Sequence, residues 1–131
     1  MNVDKTVVEK FFQDGGTYFD CLSAGVCYQS AKNARITGRC SPESAVYLAD
    51  LLGVDFFDFV QVPPYAAHMV YNRVTRGYGQ EELCKIAGCG VNAVNRAEAG
   101  VTVPKPHTLK KLADVLGLTV KEYIGETGEA E

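Results

Sequence analysis

The sequence predicts an all-α protein built from two tandem units of five short helices each. Apolar and polar residues never alternate as in a β-strand over five residues without a competing helical pattern. The segment LADLLGVDFFDFV (48–60) returns as LADVLGLTVKEYI (112–124), which indicates that one helical unit occurs twice. Glycines separate the predicted helices, at Gly53, Gly77, Gly88, Gly100 and Gly117.

The elements follow from local signals along the chain. The predicted helices of the first unit are 4–13, 18–24, 28–37, 42–52 and 55–60. Ser41 is a good N-cap before Pro42 at the first helical position, and Gly53 supplies a left-handed stop. The predicted helices of the second unit are 66–76, 80–87, 91–99, 106–116 and 120–124.

The domain boundaries are predicted from proline, glycine and charge. Residues 1–61 are expected to form one domain and residues 66–124 another. The Pro-Pro segment 62–65 is expected to be an extended linker, because Pro63 and Pro64 cannot continue a helix. The segment GETGEAE (125–131) has no apolar periodicity and is predicted to be a disordered acidic tail.

The composition excludes several classes of protein. With 47% hydrophobic and 22% charged residues, no run of 18 apolar residues and no signal-peptide core, the sequence predicts a soluble cytoplasmic protein without a membrane span. No nucleophile–base order, phosphate-binding glycine loop or pair of carboxylates indicates an enzyme, and no cofactor is expected. No C-x-x-C pair occurs, so buried or free thiols are predicted in place of a metal site. The five cysteines are Cys21, Cys27, Cys40, Cys84 and Cys89.

The net charge of −3 hides an uneven distribution. Residues 1–62 hold five Lys and Arg against eight Asp and Glu, whereas residues 63–124 hold eight against five. The tail after residue 124 adds three Glu. The second unit is therefore the one whose charge favours an anionic partner.

Residues 80–100 carry the most specific pattern. QEELCKIAG predicts a short helix with Leu83, Ile86 and Ala87 facing inward, followed by a tight turn and the helix VNAVNRAEAG. Two short helices joined in this way form a helix-turn-helix motif. Ala93, Val94 and Ala97 are predicted to face the core, and the outer face is left to Val91, Asn92, Asn95 and Arg96. Amide side chains pair with adenine and Arg with guanine in the major groove, although the same residues also suit an ordinary solvated face.

Through several further motifs, the sequence of residues 69–124 resembles the DNA-binding domain of phage Cro/CI repressors, the xenobiotic-response-element (XRE) family. These motifs are the Gln-Glu-Glu-Leu opening (80–83), the R-x-E-x-G motif (96–100) and the P-x-x-x-T-L-x-x-L-A-x-x-L-G pattern (104–117). The resemblance implies a lambda-repressor-like helix-turn-helix fold.

The resemblance also implies roles for individual residues. Gln80 would contact a DNA phosphate, and Arg73 with Glu98 would form a structural bridge. Gly79 and Gly90 stand where the family commonly has Ser or Thr. Gly90 therefore removes a hydroxyl that would contact phosphate, although backbone N–H groups at this helix start can still hold one.

The first half looks like a divergent copy of the same unit. Its Gly-Val turn (25–26), Gln-Ser helix start (29–30) and T-G-R-x-x-P-E motif (37–43) resemble Cro-like phage regulators, and Asp20 departs from the family's Leu. A degenerate copy kept for dimer or partner contacts remains the alternative. The resemblance implies recognition by Tyr28, Gln29, Ser30, Lys32 and Asn33, with Arg39 near the DNA backbone.

These patterns lead to two hypotheses about function. The first is a sequence-specific regulator of transcription, a repressor of phage or mobile-element type, that binds double-stranded DNA and is expected to be a homodimer. Its reading helix is 91–99, with helix 28–37 as a second candidate. The second is a protein-binding module on the same fold, similar to an antirepressor or antitoxin. Phe56, Phe57 and Phe59 are expected either to complete the core or to contact a protein partner.

Overall fold

The computed structural model describes residues 1–125, and about two thirds of these lie in α-helices. Met1–Gln61 and the residues from Val62 onward form two compact units. The predicted all-α class is confirmed. The β-pairing in the described part of the chain is limited to two isolated bridges, Asn2–Arg39 and Val3–Val60. The predicted disordered tail lies outside the described residues except for Gly125.

The first unit contains five helices, and polar side chains begin four of them. Asp4, Thr17, Ser41 and Asp55 each accept a hydrogen bond from a backbone N–H group in the first turn that follows. Each of these caps satisfies a donor that an isolated helix start leaves without a partner. The helices are α1 (Lys5–Gln13), α2 (Tyr18–Ser23), α3 (Tyr28–Thr37), α4 (Pro42–Leu52) and α5 (Phe56–Phe59).

The second unit also contains five helices. The first of them starts at Pro64, two residues before the predicted start, because a proline fits the first helical position, where no backbone donor is needed. The predicted linker 62–65 is therefore shorter than expected. The helices are α6 (Pro64–Val74), α7 (Gln80–Ala87), α8 (Val91–Glu98), α9 (Pro106–Leu116) and α10 (Val120–Ile124).

The core of the second unit draws on all five of its helices. Small residues on α7 and α8, Cys84 and Ala97, lie among larger aliphatic side chains, so these short helices can approach closely. The core residues are Met69, Leu83, Cys84, Val94, Ala97, Leu109, Leu112, Ala113, Leu116 and Tyr123.

The repeated segment adopts the same local structure in both units. The helices α4 and α9 each have 11 residues, begin with a proline and end at a left-handed glycine, Gly53 with φ 69° and Gly117 with φ 74°. A side chain would be strained at either glycine, so the same chemistry ends both helices. None of the described helices is long and apolar enough to cross a membrane.

Tyr123 carries a buried polar group that weakens the second unit. Its side chain is fully buried, and its hydroxyl has no hydrogen-bond partner within residues 1–125. Burial raises the pKa of this hydroxyl above its usual value. We expect Tyr123→Phe to raise the free energy of unfolding by about 1 kcal/mol, because it removes a buried donor that lacks a partner.

Chemical denaturation of the full chain checks this prediction, and Tyr65→Phe is a matched control. The Tyr65 hydroxyl donates to the Thr102 carbonyl over 3.0 Å, so its removal is expected to destabilise the protein by about 0.5–1.5 kcal/mol. If both variants lose stability, Tyr123 has a partner that the structure does not show.

Candidate nucleic-acid interface

The α7–turn–α8 segment is held by a glycine and by small core residues. Gly88, with φ 76°, ends α7 in the left-handed conformation that reverses the chain direction. Leu83 and Cys84 face the core, whereas Ile86 is 58% exposed. The prediction that Ile86 faces inward is wrong, because Cys84 occupies the position beside Leu83 on the buried face.

The outer face of α8 carries three exposed polar side chains, Asn92, Asn95 and Arg96. Their spacing of three and four residues places them on one side of the helix. Within residues 1–125, none of these side chains makes a hydrogen bond or ion pair. Val91 is half-buried and packs against the core of the second unit, so it contributes less to this face than predicted. The remaining groups are free to meet an external partner.

A buried ion pair fixes α8 to α6. Arg73 donates from Nε to Glu98 Oε2 over 2.7 Å and from Nη2 to Glu98 Oε1 over 2.9 Å, and both side chains are excluded from solvent. Arg73 Nη1 also donates to the Tyr78 carbonyl over 2.7 Å. Gln80 Nε2 donates to Glu98 Oε1 over 2.8 Å and ties the start of α7 into the same network. Such bidentate contacts orient α8 on the scaffold.

Comparison with known proteins agrees with this geometry. Residues 71–123 match the family model described as helix-turn-helix. These residues form a helix-turn-helix domain of the Cro/CI (XRE) type. Domains of this family bind DNA and regulate transcription. No curated protein and no solved structure matches the chain. The family match lies within the second unit, and a divergent copy in residues 1–61 stays a prediction.

The XRE-type domain begins both helices of its motif with glycine. Gly79 has no side chain to cap α7, and its N–H donates instead to Glu82 Oε1 over 3.3 Å. Gly90 begins α8 without a side-chain cap. Both glycines have φ near −78°, a conformation open to any residue, and no atom lies within 4 Å of a Cβ placed on either.

We expect Gly90→Ser to stabilise the XRE-type domain by about 0.5–1 kcal/mol. A serine hydroxyl would accept a hydrogen bond from the first turn of α8, and the unfolded chain would lose conformational freedom. Thermal unfolding checks this, with Gly88→Ala as the control. That variant is expected to destabilise by about 1–2 kcal/mol, because alanine is strained at φ 76°. Equal effects of the two substitutions would contradict the assignment of Gly90 as an N-cap.

In the first unit, the side chains of the predicted recognition helix α3 are less free to contact DNA than those of α8. Gln29 Nε2 donates to Asn33 Oδ1 over 3.1 Å, so the two amides partly satisfy each other. The Lys32 ammonium lies 5.9 Å from the ring centroid of the exposed Tyr28. Ser30 is half-buried and accepts from the Cys27 thiol over 3.3 Å. Arg39 is exposed beyond the end of α3, and its backbone forms the isolated bridge to Asn2.

The first unit contains an ion pair that the sequence analysis missed. Arg35 of α3 donates from Nε to Glu9 Oε1 of α1 over 2.9 Å and holds the pKa of Glu9 below its usual value. This pair joins the first and third helices of its unit, as Arg73 and Glu98 do in theirs, with the charges exchanged. Its side chains are 32% and 40% exposed, so solvent screens them. The signal that points to it is the alignment of α3 with α8 at their first residues, Tyr28 and Val91, which places Arg35 at the position of Glu98.

The phenylalanines of α5 and Asp20 of α2 show how the first unit departs from the expected pattern. Phe56 and Phe59 are buried, and Phe57 is 38% exposed. The expectation that these phenylalanines complete the core is therefore confirmed for Phe56 and Phe59, and a partner contact that includes Phe57 stays a prediction. Asp20 departs from the family's Leu because it accepts from the Thr17 N–H over 2.9 Å, while its own N–H donates to Thr17 Oγ1. This capping box begins α2 and explains an acidic residue at that position.

Proposed function

We propose that this protein is a sequence-specific regulator of transcription that binds double-stranded DNA through α8. Its mode is that of a repressor of phage or mobile-element type, which occludes a promoter or operator. The observation that carries the proposal is the outer face of α8, where Asn92, Asn95 and Arg96 are exposed and unbonded within the described residues. These side chains lie on the second helix of a helix-turn-helix, which enters the major groove in this class of domain.

The proposed contacts divide into two kinds. Asn92 and Asn95 present amides that match adenine edges, and Arg96 presents a guanidinium that matches guanine. Gln80, and the backbone N–H groups at Gly90, lie at helix starts, where phosphates are held. The base contacts would specify the sequence, and the phosphate contacts would fix the register of the domain on the duplex.

The first unit is proposed to contribute a weaker second contact. The face of α3 carries Tyr28, Gln29, Lys32 and Asn33, but its amides are bonded to each other and its unit carries excess negative charge. Linking two weak binding units raises the effective concentration of the second without any new contact. As a homodimer, the protein would favour half-sites about one helical turn, ~34 Å, apart.

A protein-binding role of the antirepressor or antitoxin kind is favoured by a different observation. Phe19 and Leu22, three residues apart on α2, are 73% and 59% exposed. Where a DNA-binding unit would present cations to phosphates, this helix carries Asp20 and two apolar side chains. Such a surface suits a protein partner better than a duplex.

Salt dependence separates the two functions. Anisotropy titrations of the full chain against a random-sequence duplex of 30 base pairs should be run at 50 and 200 mM salt. If about four phosphates are neutralised, the affinity is expected to fall about a hundredfold. Absence of duplex binding at 50 mM salt would reject the DNA-binding proposal and leave the protein-binding role.

A further inference from the structure

Two thiols meet across the turn of the helix-turn-helix motif. Cys84 lies on the inner face of α7 and is 2% exposed, and Cys89 follows Gly88 in the turn and is half-buried. The Cys89 N–H donates to the Cys84 carbonyl over 3.0 Å, which closes the end of α7. This hydrogen bond brings the side chains of the two residues together, as is usual at such helix ends.

The two side chains interact with each other. Burial, followed by the charge of the Cys89 thiolate and a hydrogen bond with the Cys89 side chain, raises the pKa of Cys84 to about 12. Both cysteines are free thiols. No group of three or more His, Cys, Asp and Glu within the described residues is arranged to hold a metal ion.

The corresponding turn of the first unit carries a different side chain at the position of Cys89. This turn has the same hydrogen bond, from the Val26 N–H to the Cys21 carbonyl over 2.9 Å. The inner cysteine is retained there, but its partner is a fully buried valine. An apolar side chain packs this turn in the first unit, so we expect residue 89 to tolerate a valine.

We propose that Cys84 and Cys89 form a reversible disulfide across the turn, which weakens DNA binding by displacing the start of α8. The co-reactant is a low-molecular-weight disulfide such as oxidised glutathione. The part of this proposal that concerns DNA binding rests on the proposed function. Disulfides in cytosolic proteins are usually transient and regulatory, in keeping with a reversible bond here.

The reaction proceeds by two thiol–disulfide exchanges. The more accessible Cys89 thiolate attacks one sulfur of glutathione disulfide, so its S–S bond breaks, one glutathione leaves and a mixed disulfide forms. The Cys84 thiol then gives its proton to the glutathione thiolate released in the first exchange, and its sulfur attacks the Cys89 sulfur. The mixed S–S bond breaks and the second glutathione leaves as a thiolate that takes up a proton. Two protein thiols are oxidised and one glutathione disulfide is reduced to two thiols.

Closure of the disulfide must alter the turn. A disulfide holds its sulfurs about 2.05 Å apart, closer than any hydrogen bond, so Cys89 is drawn toward α7. The next residue, Gly90, begins α8. Recognition requires side chains to be held within about 0.5 Å of their productive positions, so a shift at this point disturbs every base contact of α8.

The protein's own trypsin sites allow a direct test. Cleavage at Arg76, Lys85 and Arg96 separates Cys84, in peptide 77–85, from Cys89, in peptide 86–96. The full chain should be equilibrated in glutathione buffers from fully reduced to fully oxidised, alkylated, digested and analysed by mass spectrometry. We expect the two peptides to be linked in the oxidised buffers, while Cys21 remains alkylated.

Cys89→Val, which copies the first unit, is the matched control. The reduced control should bind duplex as well as the reduced wild type does. Oxidation should lower the wild-type affinity at least about tenfold and leave the affinity of the control unchanged.

If Cys89 carries glutathione and Cys84 stays free at every ratio of oxidised to reduced glutathione, the disulfide is refuted. If the peptides are linked but affinity is unaltered, the regulatory role is refuted. If the reduced wild type binds no duplex, the proposed function and the regulatory role both fail, and the peptide linkage still decides whether the disulfide forms.

Discussion

Glu98→Ala is expected to lower the free energy of unfolding by about 3–5 kcal/mol, the largest effect of any single substitution predicted for this protein. The variant leaves the Arg73 guanidinium in a solvent-excluded site without its carboxylate, and it deprives Gln80 of its acceptor. An uncompensated buried charge is far more costly than the loss of a surface ion pair. Denaturation of the full chain measures the loss, and amide hydrogen exchange should place it in α6 and α8.

The first unit supplies a matched control for this prediction. Glu9→Ala breaks an ion pair between the same two helix positions, but solvent reaches both of its side chains. A much smaller loss of stability is therefore expected. The double variant Arg73→Met with Glu98→Leu should recover much of the stability lost in Glu98→Ala, because no charge then stays buried alone. Similar losses in Glu98→Ala and Glu9→Ala would contradict the burial argument.

Arg96→Ala and Asn92→Ala are each expected to weaken specific duplex binding by about 1–3 kcal/mol, or roughly five- to 150-fold. Both side chains are exposed, and neither makes a hydrogen bond within residues 1–125, so their loss should leave the melting temperature unchanged. Competition titrations with a selected duplex measure the affinity. Lys121→Ala, an exposed cation on α10 away from α8, controls for a general loss of positive charge.

Comparison with Gln29→Ala tests which unit reads the sequence. Its amide is bonded to Asn33, so its removal should cost less than the removal of Asn92. A larger effect at Gln29 than at Asn92 would transfer the principal recognition role to α3.

Local chemistry explains why the helix boundaries were predictable. Ser41, Pro42 and Gly53 mark the ends of α4 by capping and backbone preference alone, and no distant contact is needed. The start of α6 was missed because Pro63 and Pro64 are both compatible with a helix start, and only the folded chain shows that Pro64 is helical.

Long-range contacts explain what the sequence could not reveal. The buried face of α7 could include Ile86 or Cys84 beside Leu83, because both spacings fit a helix. Packing against the rest of the unit buries Cys84 and leaves Ile86 exposed. The Glu9–Arg35 pair joins residues 26 apart, so no local pattern indicates it and only the alignment of the two units points to it. The outer face of α8 was recognisable because the motif fixes the inner face. Only the structure shows that the side chains of Asn92, Asn95 and Arg96 make no hydrogen bond within residues 1–125.

Selection of binding sites from a pool of random duplexes tests the role of α8 most directly. The wild type is expected to enrich one DNA sequence. A variant with Asn92, Asn95 and Arg96 replaced by alanine should lose that enrichment. A variant with Gln29, Lys32 and Asn33 replaced by alanine should still enrich the central part of the same DNA sequence. Enrichment of the same sequence by the α8 variant, or of no sequence by the wild type, would contradict the assignment of α8 as the helix that reads DNA.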